Sequence, residues 1–329
     1  MSRAQLTSTV EQSSGGAVAP FVAGKNKIIN GDFGIWQRGT SFSGIGNLTY
    51  TADRWFTETG GTANVTQQAF TPGTAPVAGY EAPYFLQYAT ATTATVHGLD
   101  QRIEDVRTLA GQTVTISAWM KANAATTMTV IGSQAFGSGG SAGNDIGSTT
   151  WTLGTSWQRF TWTVTMTSVA GKTIGAGSST NIRFLNLTNA AFTFQIWGVQ
   201  VEAGSVATPF TTASNTLQGE LALCQRYFCK SYDLSVVPGT ATYINSWAMD
   251  YGTASTSKLS LHCTFPVVMR TAPTVLTYDE AGTSGVVSRN GNGKTGAANA
   301  IGSSGCTLYS SDTTSSTWLS VQWTATAEL

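Results

Sequence analysis

Short runs in which apolar and polar residues alternate fill the chain from about residue 26 to residue 210. One run places an apolar set on one side, Val114, Ile116, Ala118 and Met120, and a mostly polar set on the other, Thr115, Ser117, Trp119 and Lys121. A second run alternates through Phe160, Trp162, Val164 and Met166. Because successive side chains of a strand point to opposite faces, both runs predict half-buried β-strands.

The run from Phe192 to Val201 departs from simple alternation, because its apolar set changes parity at Ile196 and Trp197. This change predicts either burial on both faces of the strand or a β-bulge near Gly198. Glycine-rich loops separate the runs, and no helical pattern lies between them. The spacing of these strands predicts an N-terminal β-sandwich or jelly roll.

A single helix is predicted from about Thr216 to Phe228. Four residues fall at helical spacing, namely Leu217, Leu221, Cys224 and Phe228. Asn215 is the predicted N-cap, and Gln218 follows three residues later as in a capping box. The sequence therefore predicts a short helix that links two β domains.

Strand patterns return after the helix. Two late runs share one face each, the first through Leu259, Leu261, Cys263 and Phe265 and the second through Leu319, Val321 and Trp323. The pair Asn290–Gly291 is a strong signal for a hairpin turn. We expect a smaller C-terminal β-sandwich domain here.

These patterns together predict an all-β protein with four consecutive parts. The parts are a flexible N-terminal arm at 1–24, a jelly roll at 25–212, a linking helix at 213–229 and a C-terminal β domain at 230–329. The arm is predicted from its lack of periodicity and its Ser-Ser-Gly-Gly sequence at 13–16.

The composition is low in charge and rich in aromatic residues. Charged residues make up 10% of the chain, against about 25% in typical soluble domains. The 10 Trp, 10 Tyr and 14 Phe residues are enough to build a large core. Two interpretations fit: a β protein whose surface is partly buried against other subunits, or a sandwich with an uncharged surface.

The charge pattern argues against two classes of partner. The formal net charge is zero and no charged run occurs, so the chain lacks the basic surface expected for nucleic acid or an anionic membrane. No window approaches the ~18 apolar residues of a membrane span. The first residues lack the apolar core of a secretory signal, so we expect the protein to stay in the cytoplasm of the cell that makes it.

Residues for catalysis or redox chemistry are sparse, and we predict no catalytic residue. The two histidines, His97 and His262, suggest no triad, and no Gly-x-Ser-x-Gly elbow occurs. The acidic pairs available for glycoside hydrolysis are Asp53 with Glu58, Glu104 with Asp105, and Asp279 with Glu280. Turns and salt bridges are the favoured interpretation of these pairs. The four cysteines are interpreted as buried free thiols rather than disulfide or metal ligands.

The stretch from Lys27 to Phe56 concentrates large rings beside charged groups and carries a family resemblance. Its motif residues are Asn30, Asp32, Trp36, Arg38, Asp53, Arg54 and Trp55. The segments that follow the same pattern are 198–204, 207–210, 220–228 and 265–273. These segments resemble a domain of bacteriophage and prophage tail or virion structural proteins that is described as carbohydrate-binding-like. The resemblance covers nearly all of the chain after the first two dozen residues.

The resemblance implies a non-enzymatic virion protein, such as a tail-fibre, head-fibre or spike subunit. It implies assembly in the host cytoplasm, attachment to other virion proteins through the N-terminal arm, a homotrimeric state and contact with glycans of the host surface. Two alternatives stay open at this point. One is a glycan-degrading depolymerase with an accessory carbohydrate-binding module, and the other is a purely structural capsid decoration protein.

Candidate binding residues follow from the same resemblance. Exposed aromatic rings bind sugars in such modules, and Trp119 and Trp151 are the candidates here. Many such modules hold a structural calcium ion, for which Asp32 and Glu202 are the candidate ligands. Gln200 stands where those modules tend to carry an acid, so a role of Asp32 in accepting hydrogen bonds within a turn is favoured over a calcium site.

Overall fold

The computed structural model describes residues 23–78, 80–255, 258–313 and 315–329, so the predicted arm lies almost wholly outside the described residues. The described chain is nearly all β, with one short helix, α1 (Leu217–Gln225). The strands are β1 (Ser41–Ile45), β2 (Phe56–Thr59), β3 (Ala63–Ala69), β4 (Tyr84–Thr90), β5 (His97–Ile103), β6 (Thr113–Ala122), β7 (Thr126–Ala135), β8 (Asn144–Leu153), β9 (Gln158–Thr165), β10 (Ser179–Asn186), β11 (Thr193–Ala203), β12 (Phe228–Lys230), β13 (Trp247–Ser255), β14 (Leu259–Thr264), β15 (Thr274–Tyr278), β16 (Val286–Arg289), β17 (Asn292–Asn299), β18 (Gly305–Ser310) and β19 (Ser316–Thr326).

The N-terminal part is a two-sheet sandwich, and the predicted all-β class is confirmed. A six-stranded antiparallel sheet has the order β1-β3-β4-β11-β6-β9, and a five-stranded one has the order β2-β5-β10-β7-β8. One core cluster lies between them, with rings from both sheets and from the opening stretch. Phe33 and Trp55 are fully buried in it with ring centroids 5.1 Å apart. The motif aromatics therefore close one end of the core, where their burial is a large stabilising contribution.

The irregular run from Phe192 to Val201 lies at the centre of the six-stranded sheet. Both predicted features, burial on both faces of the strand and a β-bulge near Gly198, are present. The register between β11 and β6 shifts between Trp197 and Gln200, and Gly198 takes a φ of +64° there. Side chains on both sides of this bulge are buried. A second cluster covers the outer face at this point, formed by Phe70, Ala82, Phe85, Trp197 and Phe210.

The helix is shorter than predicted, and its N-cap is Thr216 rather than Asn215. Thr216 has the extended conformation of a cap, and its hydroxyl accepts a hydrogen bond from Gly219 N at 3.0 Å. Asn215 has a φ of +62° and cannot fill that role. The helix ends at Gln225 because Phe228 enters β12. Nothing among the described residues forms a helix with the length and apolar character needed to cross a membrane.

The C-terminal part folds around its own core. The long strand β19 pairs with β12, β13, β15 and β16, and a meander of β16, β17, β18 and β14 continues the sheet. The predicted hairpin at Asn290–Gly291 is confirmed, because Arg289 pairs with Asn292 across it. The predicted inward face of β14 is confirmed too, with alternating buried and exposed residues. Its core includes Leu261, Leu308, Leu319 and Trp323.

Candidate functional site

The Asn30 side chain folds the opening stretch onto itself. Asn30 sits at a φ of +58°, a conformation that asparagine tolerates better than most residues. Its amide donates to the carbonyls of Ile35 at 2.8 Å and Asp53 at 3.0 Å, and its oxygen accepts from Ile35 N at 3.0 Å. Trp55 Nε1 donates to the Asn30 carbonyl at 3.0 Å. Asn30 therefore holds the two halves of the motif together.

Asp53 is fully buried and lies at the centre of a hydrogen-bonded group. Its carboxylate accepts from Gln37 N at 2.6 Å and from Gln37 Nε2 at 2.8 Å, and Arg38 lies 3.7 Å away. Burial raises the pKa of Asp53 to about 6, although Arg38 and the bonds from Gln37 act in the opposite direction. Gln37 also donates to the carbonyl of Phe228 at 2.8 Å, which links the motif to β12.

Arg54 and Glu328 join the two β domains. The Arg54 side chain is 1% exposed, forms an ion pair with Glu328 and lies 3.5 Å over the ring of Tyr227. Arg38 reaches the same carboxylate at 3.0 Å and lies 3.8 Å over the ring of Phe228. We call Arg38, Asp53, Arg54 and Glu328 the seam. Since every charged group in it has a partner, the motif residues act in these contacts as structural groups.

The two candidate calcium ligands have different partners. Glu202 is buried and accepts hydrogen bonds from Thr208 N at 2.9 Å and from Thr208 Oγ1 at 2.6 Å, with Lys25 at 3.7 Å. Asp32 instead lines a pocket of about 220 Å³ with Glu220. Burial, and then the charge of Glu220, raise the pKa of Asp32 to about 6. Within the described ranges, no group of three or more His, Cys, Asp or Glu residues is arranged to hold a metal ion.

Both carboxylate oxygens of Glu220 are engaged in hydrogen bonds. It accepts hydrogen bonds from Asn30 N at 2.6 Å and from Ser214 N and Oγ, both at 3.0 Å. These bonds tie the first turn of α1 to the motif stretch. Asp32 Oδ1 accepts a hydrogen bond from Gly34 N at 3.4 Å within the turn, so the predicted ligands Asp32 and Glu202 have separate hydrogen-bond partners.

Trp151 is a core residue, which corrects its prediction as a sugar-binding ring. It is 5% exposed, stacks on Phe160 at a centroid distance of 5.4 Å and lies 5.9 Å from Phe184. Its partner across β7 is the fully buried Met128, so this side of β8 faces the core. A glycan cannot reach a ring in that position.

Trp119 lies where predicted, on the outer face of the six-stranded sheet. It is half-buried and packs against the cluster that contains Trp197 and Phe210. Its edge comes within 3.2 Å of the position that a Cβ on Gly198 would occupy, so the bulge makes room for it. Trp119 thus has one side in the cluster and the other toward solvent.

A polar groove of about 360 Å³ lies on the same outer face, lined by Gln87, Lys121, Ala122, Asn123, Thr155, Thr193 and Gln195. Gln195 Nε2 donates to Gln87 Oε1 at 2.7 Å across paired strands. Lys121 Nζ lies 5.2 Å over the ring of Trp157, which flanks the groove. No donor among the described residues reaches Gln195 Oε1. We call these residues together with Trp157 the groove.

The groove combines the groups that recognise sugar hydroxyls and sugar rings. Amides can donate and accept, an ammonium group donates, and an indole ring offers an apolar face. Strand alternation places Lys121 on this face, whereas Gln87, Gln195 and Trp157 are not among the binding residues predicted from the sequence. Strand alternation would have found Gln87 and Gln195, because each lies between two core residues of its strand.

A second depression, of about 560 Å³, is apolar and lies between the first sandwich, α1 and the loop after β12. Its apolar lining includes Trp36, Tyr84, Leu217, Leu221, Leu234 and Val237, and the described residues around it are all uncharged. Leu217 is 76% exposed although it begins the predicted apolar side of the helix. A patch of this kind on a soluble domain is typical of a protein contact.

Glu58 and Asp100 form a carboxylate pair on the other sheet that sequence analysis missed. Arg183 binds Glu58 through Nε at 2.8 Å and lies 3.9 Å from Asp100. Burial, and then the charge of Glu58, raise the pKa of Asp100 to about 7. A neutral acid beside an ionised one can serve in glycoside hydrolysis. Asp100, however, is 4% exposed and Glu58 is engaged by Arg183, so the pair has the character of an internal ion network.

No model of a known protein family matches the chain, and no curated protein matches it. Solved structures do show similarity. A carbohydrate-binding module of family 4 is 20% identical over 53% of this chain and 98% of its own, with a TM-score of 0.33. The enzymatically active domain of tailspike protein 4 from bacteriophage CBA120 is 15% identical over 55% of this chain and 22% of its own, with a TM-score of 0.33.

An enzyme shows the same degree of similarity. The Stig cyclase Fisc from Fischerella sp. TAU is 13% identical over 54% of this chain and 96% of its own, with a TM-score of 0.37. A binding module, an active tailspike domain and a cyclase thus all resemble this chain. Sandwich folds support many unrelated functions, so likeness at this level decides none of them.

Proposed function

We propose that this protein is a non-enzymatic virion structural protein of a bacteriophage that binds host surface glycans through the groove. The observation that carries the glycan part is the convergence of Gln87, Gln195 and Lys121 beside the Trp157 ring. The virion part rests on the resemblance of the motif segments. A tail-fibre, head-fibre or spike subunit is the form that the resemblance favours.

The charges of the chain support a passive role over a catalytic one. The groove is lined by amides, hydroxyls and one ammonium group and has no carboxylate among its described residues. The carboxylates of the seam are engaged in ion pairs and hydrogen bonds. Glycoside hydrolysis needs two available carboxylates at one site. Binding without bond cleavage therefore fits the groove better than depolymerase activity.

The test is binding of the purified chain to an array of bacterial surface glycans, compared with the Gln87→Ala and Gln195→Ala variants. Each variant removes groove groups that pair with sugar hydroxyls, so we expect at least about tenfold weaker binding. Gln68→Ala is the matched control, because Gln68 is a half-exposed amide on the neighbouring strand β3 outside the groove.

Three outcomes contradict the proposal. Absence of binding to any glycan favours a decoration protein without receptor function. Equal loss in the Gln68→Ala variant places binding elsewhere on the sheet. Shortening of a host polysaccharide by the purified chain favours the depolymerase alternative.

The partner proposals are attachment to other virion proteins through residues 1–24 and self-association as a homotrimer. The apolar, uncharged depression beside α1 supports a contact between copies, because Leu217, Leu234 and Val237 are exposed there. Sedimentation of the pure chain checks the trimer. A compact monomer at micromolar concentration rules it out, while immunogold labelling of particles checks the location in the virion.

A further inference from the structure

Two cysteines face each other inside the C-terminal core. Cys263 on β14 and Cys306 on β18 are direct partners in the antiparallel register. They are 0% and 1% exposed, and as direct partners their side chains share the buried face of the strand pair. The proposed glycan binding gives no role to this pair.

The backbone geometry of the pair suits a covalent bond. Phe265 N donates to Ser304 O at 2.9 Å, which makes Phe265 and Ser304 a hydrogen-bonded pair of the ladder. Cys263 and Cys306 lie two residues along and therefore occupy the next such pair, where Cα atoms are about 5.5 Å apart. Disulfides span Cα separations of about 4.4–6.8 Å. The strands can accept a cross-link without changing register.

We propose that Cys263 and Cys306 are an oxidation site that hydrogen peroxide converts into a cross-strand disulfide. The Cys306 thiolate attacks one oxygen of the peroxide, the O–O bond breaks, and the released hydroxide takes up a proton to form water. The resulting sulfenic acid is attacked by the sulfur of Cys263. The S–S bond forms, and the second oxygen leaves as water with the proton of Cys263. Two thiols are oxidised and one peroxide is reduced to two waters.

The effect of each cysteine on the pKa of the other indicates which one attacks the peroxide and which one attacks the sulfenic acid. The neighbouring Cys263 thiol lowers the pKa of Cys306, whereas Cys306 raises the pKa of Cys263. The thiolate is the reactive form of cysteine, so Cys306 is the attacking residue. A small oxidant is required because both sulfurs are buried.

Cys224 and Cys229 serve as internal controls for the reactivity of Cys263 and Cys306. Cys229 lies near the pair but contacts Met269 Sδ at 3.8 Å, and burial raises its pKa to about 12. Cys224 is buried in α1, and burial raises its pKa well above the usual value. Both are disfavoured as thiolates, so we expect the reaction to select Cys263 and Cys306.

The experiment treats the folded full-length chain with hydrogen peroxide, quenches it, denatures it and alkylates the remaining thiols. We expect the alkylated cysteines to fall from four to two, a cross-linked peptide that joins Cys263 to Cys306, and full reversal by dithiothreitol. Cys306→Ser should abolish the cross-link, while Cys224→Ser should leave it unchanged. The peptide map of the wild-type chain decides the matter even if a variant folds poorly.

Melting of the oxidised chain is a second readout. The cross-link closes a loop of the unfolded chain, so we expect the melting temperature to rise by several degrees in the wild type and in Cys224→Ser. Four alkylated cysteines after treatment, a cross-link that contains Cys229, or a melting temperature that does not rise would each overturn the proposal.

Discussion

The seam and the groove use the same residue types in opposite ways. Both set polar groups beside aromatic rings, Arg54 over Tyr227 in the seam and Lys121 over Trp157 in the groove. In the seam, Arg54 is 1% exposed and paired with Glu328. In the groove Gln87, Lys121 and Gln195 are half-exposed, and no donor among the described residues reaches the buried Gln195 Oε1.

The difference in burial between the seam and the groove distinguishes residues that join the domains from residues that are candidates for binding. A buried charge must be paired, so the loss of a charged partner in the seam is costly. A half-exposed amide keeps hydrogen-bonding capacity at a small cost in stability. The motif that carries the family resemblance therefore identifies how the domains are joined, whereas the candidate binding surface lies in residues outside that motif.

The largest expected effect is in the seam. Arg54→Ala removes one of the two arginines that bind the buried Glu328 carboxylate, together with the Arg54 hydrogen bond to the carbonyl of Arg102 and its contact with the Tyr227 ring, so we expect the free energy of unfolding to fall by about 3–5 kcal/mol. Denaturant unfolding measures it. Arg107→Ala is the control, because its ion pair with Asp105 is 60% exposed on the arginine side and its loss should cost under about 1 kcal/mol. Equal costs in the two variants would contradict the role of the seam.

Trp151 and Trp157 test the distinction between structural and binding residues, because one lies in the core and the other in the groove. Trp151→Ala empties a core position and should lower the free energy of unfolding by about 3–5 kcal/mol. Trp157→Ala should leave most of the stability and weaken glycan binding at least about tenfold, because it removes the ring beside Lys121. Denaturation and array binding are measured on both variants. The comparison is wrong if Trp157→Ala unfolds the chain or keeps full binding.

A pH profile tests the buried ion network. The pKa of Asp100 is raised from 3.8 to about 7, so the folded state favours its protonated form. That contribution to stability is complete below pH 3.8 and is lost as the pH rises through about 7. Asp100→Asn stays neutral, so relative to the wild type it should gain on the order of 1–3 kcal/mol between pH ~5 and ~8.

The control for that profile is Asp145→Asn, because Asp145 is exposed on β8. Its unfolding free energy should follow the wild-type pH dependence. Parallel profiles for Asp100→Asn and the wild type would show that Asp100 is ionised in the folded state throughout this range.

The smallest expected effect is at α1, the helix that lies between the two β domains in the sequence. Thr216→Ala removes the cap hydroxyl and should lower the free energy of unfolding by about 1 kcal/mol, while Thr216→Ser should retain most of it. Denaturant unfolding distinguishes the two variants. If Asn215→Ala costs more than Thr216→Ala through loss of a cap bond, the cap assignment is wrong.

Local pattern predicted the strands because alternation is a local property. The run at 114–121, the bulge at Gly198 and the hairpin at Asn290–Gly291 each depend on neighbouring residues, and all three are present. The cap at Thr216 was missed because both Asn215 and Thr216 can cap, and only the backbone conformation distinguishes them. Trp151 was misplaced because a nearby glycine-rich loop outweighed its shared parity with the core residue Leu153.

Long-range pairing could not be predicted from one sequence. Asn30 and Glu220 are 190 positions apart, and Arg54 and Glu328 are 274 positions apart. No local pattern indicates such partners. The groove likewise combines Gln87, Lys121 and Gln195 from three strands whose neighbourhood is set by sheet order, β4-β11-β6.

The long interval in the sequence between Arg54 and Glu328 also affects the order in which contacts form while the chain is synthesised. Arg54 is synthesised before Glu328, which lies 274 positions later, so the ion pair between them can form only after Glu328 has been added. The first sandwich can collapse around its aromatic core beforehand, because those rings lie within one continuous part of the chain. Locking of the two lobes therefore requires synthesis beyond Glu328, and a nascent polypeptide halted before Glu328 would carry an unlocked junction.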